Sequence, residues 1–203
     1  MKNKRMENSI RSLTNIYTVV IGAALTLAVT GVVDSTKGLE AATTTSVCLF
    51  IAFIATLFPF VHGAIRHLDD VYLENPNVQI RDGALVIDFV LLFFHALAFL
   101  VLSLLLNKPN HFAWGLEAIL SIDIVWGAFA YFAASTNRKN IAEFKWFVIN
   151  LVTVGIGAIY LISNDINLAE IAEPVKLAVP ILFITIIRSL ADYVWCRDFY
   201  FPK

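Results

Sequence analysis

Apolar positions gather into six runs separated by short polar intervals: Thr14 to Val33, Val47 to Ile65, Val86 to Leu106, Phe112 to Ala134, Trp146 to Ile162 and Leu177 to Trp195. Each run is close to the roughly 20 residues that a helix needs to cross the hydrocarbon of a bilayer. Backbone N–H and C=O groups find no water there, so a spanning segment must close its hydrogen bonds within itself. The pattern predicts an all-α, polytopic membrane protein with six transmembrane helices.

Of the 203 residues, 59% are hydrophobic and 15% charged, far from the balance of a soluble domain. The longest interval, Arg66 to about Leu85, is too short to fold separately. Residues 1–203 are therefore expected to form a single six-helix transmembrane domain that contains any activity the chain has.

The net charge of -1 hides an asymmetry. With the amino terminus in the cytoplasm, Lys2, Lys4, Arg5, Arg11, Arg66, Arg81, Arg138, Lys139, Lys145, Arg197 and Lys203 fall inside. Lys37, Lys108 and Lys176 fall outside, and Arg188 lies within the last run. This split follows the positive-inside rule and puts both termini in the cytoplasm, with the inner (plasma) membrane of a bacterial cell as the expected location. Trp146, Trp195 and Tyr72 are expected at the inner headgroup level, Trp114 and Tyr160 at the outer one, and Trp126 deeper, in packing. The basic segment Met1 to Ser12 precedes an apolar run too long for a signal peptide and without a small-x-small cleavage site before Asp34, so it reads as a retained first helix. Cys48 and Cys196 fall at opposite faces and form neither a disulfide nor a metal framework.

The odd helices share a pattern: Asn15 to Ala23, Asp88 to Ala96 and Asn150 to Ala158 align, the first and third through Asn-x-x-Thr-x-x-x-Gly-Ala. The even helices echo one another in Asp70-Val71-Tyr72, Asp123-Ile124-Val125-Trp126 and Asp192-Tyr193-Val194-Trp195. Three repeated helical hairpins are one reading, and chance similarity among apolar segments is the other. The layout resembles the six-helix potassium channels of bacteria and lysosomes. Their first helix carries a Phe-Ser-Asp signature, where this chain reads Thr14-Asn15-Ile16-Tyr17, so neither their filter nor their selectivity carries over.

Ionisable groups inside the runs are the candidate chemistry, because an Arg or Asp at a helix centre costs roughly 2.5–3.5 kcal/mol on insertion scales. Arg188 and Asp192 are one turn apart and share a helix face. Asp88 and His95 lie two turns apart on the third helix, and Asp123 sits among Ile122, Ile124 and Val125 on the fourth. An Asp–His bond between helices is expected among them, lining an ion path or making a packed polar bridge. His62 and Arg66 lead a polar stripe at the inner end of the second helix that serves as a cytoplasmic gate or as a solvated helix end. Asp69 and Asp70 read as solvated, and Glu117 as facing headgroup water or an outer ring of charge. Asn15, Thr18, Gly22 and Thr26, echoed by Asn150, Thr153 and Gly157, form stripes suited to close helix packing.

No Gly-x-Ser-x-Gly, phosphate-binding loop or His-Glu-x-x-His occurs, so neither an enzyme, a cofactor nor a metal is expected. The basic residues serve topology and anionic lipid rather than nucleic acid. The expected function is a small channel or transporter moving an ion or proton along polar residues of the third, fourth and sixth helices. Six helices leave little room for a wide pore, so a homo-oligomer with a path between protomers is anticipated. The alternative is a non-conducting sensor, effector or scaffold subunit. A cysteine introduced at Asn75 should resist an impermeant thiol reagent applied outside intact cells; labelling from outside would overturn the topology.

Overall fold

The computed structural model describes residues 2–33, 43–74, 83–133, 141–164, 166 and 174–202. They form α1 (Lys2–Val32), α2 (Thr44–Tyr72), α3 (Ala84–Ser103), α4 (Pro109–Ala133), α5 (Ile141–Ser163), α6 (Pro174–Trp195) and the short α7 (Arg197–Tyr200), with no strand among the described residues. The first six are long and apolar enough to span a membrane, as the sequence predicts. Lys37, Arg81, Arg138, Lys139 and Lys203 of the charge count lie outside the described residues.

Contacts between helix ends fix the direction of each crossing. Ile10 packs with Leu68, Tyr72 and Leu85, Lys145 Nζ donates to Trp195 O at 2.6 Å, and Arg66 Nε donates to Phe199 O at 3.1 Å. The start of α1, the end of α2, the starts of α3 and α5 and the end of α6 thus share one end of the bundle, here termed the terminal end. At the opposite end, Asn107 Nδ2 donates to Gly31 O at 3.3 Å and Trp114 Nε1 to Ile166 O at 3.2 Å.

Helix α2 outruns its apolar stretch by two turns, because its buried face continues through His67, Leu68 and Tyr72. It begins in a reciprocal capping box between Thr43 and Ser46. Gly83, at φ 89°, occupies the left-handed region just before α3.

Two prolines inside spans leave carbonyls without an intrahelical partner, and neighbouring helices supply donors. Pro59 frees Ala55 O, which accepts from Ser189 Oγ of α6 at 2.5 Å. Pro180 frees Lys176 O, which accepts from Tyr160 Oη of α5 at 2.9 Å. The α2–α6 and α5–α6 pairs are thereby joined at defined heights.

The apolar core runs from Ala24 and Ala28 of α1 through Leu49, Phe53 and Leu57 of α2 to Phe99 of α3 and Phe112, Leu116 and Leu120 of α4. Phe99 meets Phe53 and Phe60 edge-on, with centroids 6.1 and 5.3 Å apart. The hairpin repeat is not confirmed: Asn15 is exposed on α1, whereas its counterpart Asn150 is fully buried on α5. Lipid is as apolar as the core, so Phe99→Ala loses packing contacts rather than transfer from water. It should destabilise the folded protein by about 2 kcal/mol, read as a lowered unfolding midpoint in detergent.

Candidate functional site

Buried polar side chains converge within one protomer on the terminal half of the bundle. Arg188 sits at the centre, 4% exposed. Its Nη1 lies 3.5 Å from Asp192 Oδ2 on the next turn, and its Nε donates to Asn150 Oδ1 of α5 at 3.0 Å. The guanidinium also lies over the ring of Phe60, 4.9 Å from its centroid. Asn150 turns its other atom outward: Nδ2 donates to Asp123 Oδ2 of α4. Across from it, Asp123 Oδ1 is 3.8 Å from His95 Nε2 of α3. A single chain of contacts therefore joins Asp192, Arg188, Asn150, Asp123 and His95.

Asp192 is further held by Trp146 Nε1 and by Tyr200 Oη, each donating to Oδ1 at 3.0 Å. Tyr200 belongs to α7, which folds back beneath the cluster. Its ring packs against Trp146, Tyr193 and His62, the last with centroids 4.7 Å apart. Burial, reinforced by the Asp192 charge, raises the Tyr200 hydroxyl above its ordinary range and keeps it a donor. The same two causes push the neighbouring Cys196 thiol up to about 12, so it stays protonated and unreactive.

A second cluster lies on the terminal side of the first. His67 of α2 is clamped between two carboxylates, with Nδ1 3.1 Å from Glu143 Oε1 of α5 and Nε2 3.2 Å from Asp88 Oδ2 of α3. Asp88 also accepts from Tyr72 Oη at 2.6 Å and from Trp126 Nε1 at 3.4 Å. Both ring nitrogens of His67 face acceptors, and a neutral imidazole has only one N–H. The trio therefore holds an additional proton, on His67 or on one of the carboxyls. Trp126 stacks on Trp146 at 6.0 Å and brings the two clusters together.

Between the central groups lies a cavity of about 30 Å³, lined by residues of all seven helices, among them Tyr17, Phe60, His95, Asp123, Trp126, Arg188, Asp192 and Tyr200. That volume holds about one or two water molecules. A second small cavity, about 20 Å³, lies between Glu117, Thr153, Gly157 and Tyr160 toward the opposite end. A Cβ at Gly157 would meet the Glu117 carboxyl, the far end of a flexible side chain that would have to shift. No group of three or more His, Cys, Asp or Glu has the arrangement of a metal site among the described residues.

Several sequence expectations move. Asp88 and His95 are on one helix but in different clusters: Asp88 binds His67, and the His95–Asp123 approach, at 3.8 Å, is longer than a hydrogen bond. Trp146 and Tyr72, expected at the headgroup level, donate to the carboxylates of Asp192, which is buried, and Asp88, which is half-buried. His62 lies against Tyr193, Tyr200 and Phe201. Arg66 binds Glu74 at 2.7 Å, a bond that draws the Glu74 carboxyl below its ordinary value, and also holds the α7 backbone. The stripe Asn15, Thr18, Gly22 and Thr26 is exposed, with both threonine hydroxyls bonded to carbonyls of their own helix. The sequence pattern places His67 only in the polar stripe at the inner end of α2, singles out neither Glu143 nor Tyr200, and gives Asn150 only a packing role. For His67 a signal exists: Phe53, Leu57, Phe60, Ala64 and His67 recur at steps of three and four, which puts the histidine on the buried face.

The fold and site define a polytopic membrane protein with an ionisable interior. Comparison with family models, curated proteins and solved structures gives no match.

The Arg188–Asp192 pair generates a direct test. Removing one partner leaves the other charge buried without compensation, whereas removing both does not. Arg188→Met and Asp192→Asn should each lower thermal stability strongly, with the double variant recovering part of the loss. Additive losses in this double-mutant cycle would remove the coupling.

Proposed function

We propose that the protein translocates an ion through the interior of each protomer, along the clusters around Asp123 and His67. The observation that carries this reading is a charge imbalance. In the central cluster two carboxyl groups, Asp123 and Asp192, stand against one permanent cation, Arg188, with His95 beside Asp123. With His95 neutral, these carboxylates are in excess by one. A low-dielectric interior does not keep such an excess uncompensated, so a mobile positive charge accompanies these groups.

In this reading the terminal end faces the cytoplasm, following the positive-inside count, and the plasma membrane is the proposed location. The His67 trio then meets the ion from the cytoplasmic side, and Glu117 lies on the outward part of the route. The path runs inside the protomer, so assembly into an oligomer is compatible with it but not required by it.

A second reading is favoured by one observation: the central cavity is small and most groups around it are already bonded, as in a scaffold or sensor whose charges only fix the helices. Flux in liposomes separates the two. Asp123→Asn keeps the side-chain shape and removes the charge, and it should reduce ion flux at least about tenfold, the effect of some 1.4 kcal/mol on the rate-limiting barrier, with folded yield retained. Wild-type liposomes indistinguishable from empty ones across pH and cation type would put the scaffold in front.

A further inference from the structure

We infer that the mobile charge of the central cavity is a proton shared between His95 and Asp123, and that the cavity is a proton-binding site rather than a site for a metal cation. This deepens the translocation reading by naming the species, and rests on it only for the claim that the proton moves.

The geometry begins with the backbone. His95 Nδ1 lies 3.0 Å from Leu91 O, and a carbonyl only accepts, so Nδ1 carries the hydrogen. In a neutral imidazole the other nitrogen, Nε2, is then a lone pair. It has no hydrogen-bond partner and is 3.8 Å from Asp123 Oδ1, with His95 only 3% exposed. A lone pair and an ionised carboxylate oxygen would thus face each other in a buried, water-poor space, and two acceptors repel. One proton between them turns repulsion into a charge-assisted bond, whether it resides on Nε2 or on Oδ1, after a closing movement of about 1 Å to ordinary bonding distance. A water from the adjoining cavity serves the same pair by donating to both.

The other oxygens are already engaged. Asp123 Oδ2 accepts from Asn150, and Asp192 accepts from Trp146 and Tyr200 while facing Arg188. Hard metal cations take several oxygen ligands, commonly six or more, and selective potassium sites use rings of carbonyls. Here Asp123 Oδ1 accepts no hydrogen bond, and Arg188, whose Nη1 is buried without a hydrogen bond 3.5 Å from Asp192 Oδ2, brings its positive charge to the lining of the same cavity. A proton needs one donor and one acceptor, which is what the site offers.

Every element around the pair contributes to its charge state: Tyr17 from α1, His95 from α3, Asp123 from α4, the Asn150 amide from α5, Arg188 and Asp192 from α6, and Tyr200 from α7 through Asp192; α2 presents the uncharged Phe60. The permanent positive charge of Arg188 is spent on Asp192 and Asn150. The proton on the His95–Asp123 pair is therefore the one that can leave and return without dismantling the cluster.

The test is infrared difference spectroscopy of the full chain in lipid, acid minus alkaline buffer, with sodium, potassium or choline as the only added cation. The expected spectrum contains a protonated-carboxyl or imidazolium band that is lost in both Asp123→Asn and His95→Gln and is the same in all three salts. Wild-type carboxylate bands that shift with sodium or potassium at fixed pH, or the absence of any titrating band, would overturn the inference. That arm uses the wild type alone and decides even if a variant fails to fold. Titrating bands that are all unchanged by both substitutions in folded protein would overturn it as well. A proton site without flux in liposomes removes the translocation reading and keeps this one; rubidium flux without proton flux does the reverse.

Discussion

Charge cannot be left alone in a bilayer. Most of the polar architecture of this bundle follows from that constraint, beginning at Arg188, whose guanidinium is buried at the centre and pairs with Asp192, Asn150 and the face of Phe60. Each partner then requires one of its own. Asn150 passes a hydrogen bond on to Asp123, Asp192 draws in Trp146 and Tyr200, and the latter brings the carboxy-terminal helix up against α2 and α6. Insertion costs of roughly 2.5–3.5 kcal/mol for each such residue are offset only when this sequence of contacts is complete, which makes the cluster a device for fixing the rotation of five helices about their axes.

The hydrophobic core cannot do this by itself, because lipid is as good a solvent for Phe99 or Leu57 as the protein interior. Packing supplies shape, through the Phe53–Phe99–Phe60 edge contacts and the close approach at Ala24 and Ala28. Polar bonds supply register: Ser189 to Ala55 and Tyr160 to Lys176 set the heights at which α6 meets its neighbours, using carbonyls released by Pro59 and Pro180. The two prolines are thus points of attachment in this fold, with the helices continuing through them.

Six spans were legible because lipid imposes one simple rule on the chain, a run of apolar residues of fixed length. Arg188 and Asp192 were legible as a pair because both sit on one helix. What links different helices was not: nothing local in the sequence says that His67 faces Glu143 and Asp88, or that Asn150 joins Arg188 to Asp123. The stripe on α1 and its echo on α5 show the limit well. Their residues match, yet Asn150 turns inward to the cluster while Asn15 stays exposed, and only tertiary rotation distinguishes them. His67 was obscured by its charged neighbours, although the three-and-four spacing of the apolar face runs directly through it.

In the central cluster the carboxylates of Asp123 and Asp192 outnumber the one fixed cation, Arg188, beside His95, and on that imbalance rests the proposal that the protein carries protons. The reversal potential of currents from the purified protein in a planar bilayer tests it most directly, with a pH gradient and an opposing potassium gradient imposed together. The account predicts a reversal potential that follows the pH gradient, approaching about 59 mV per pH unit, and ignores potassium. A reversal potential that follows potassium, or no current beyond that of the bare bilayer, would contradict it.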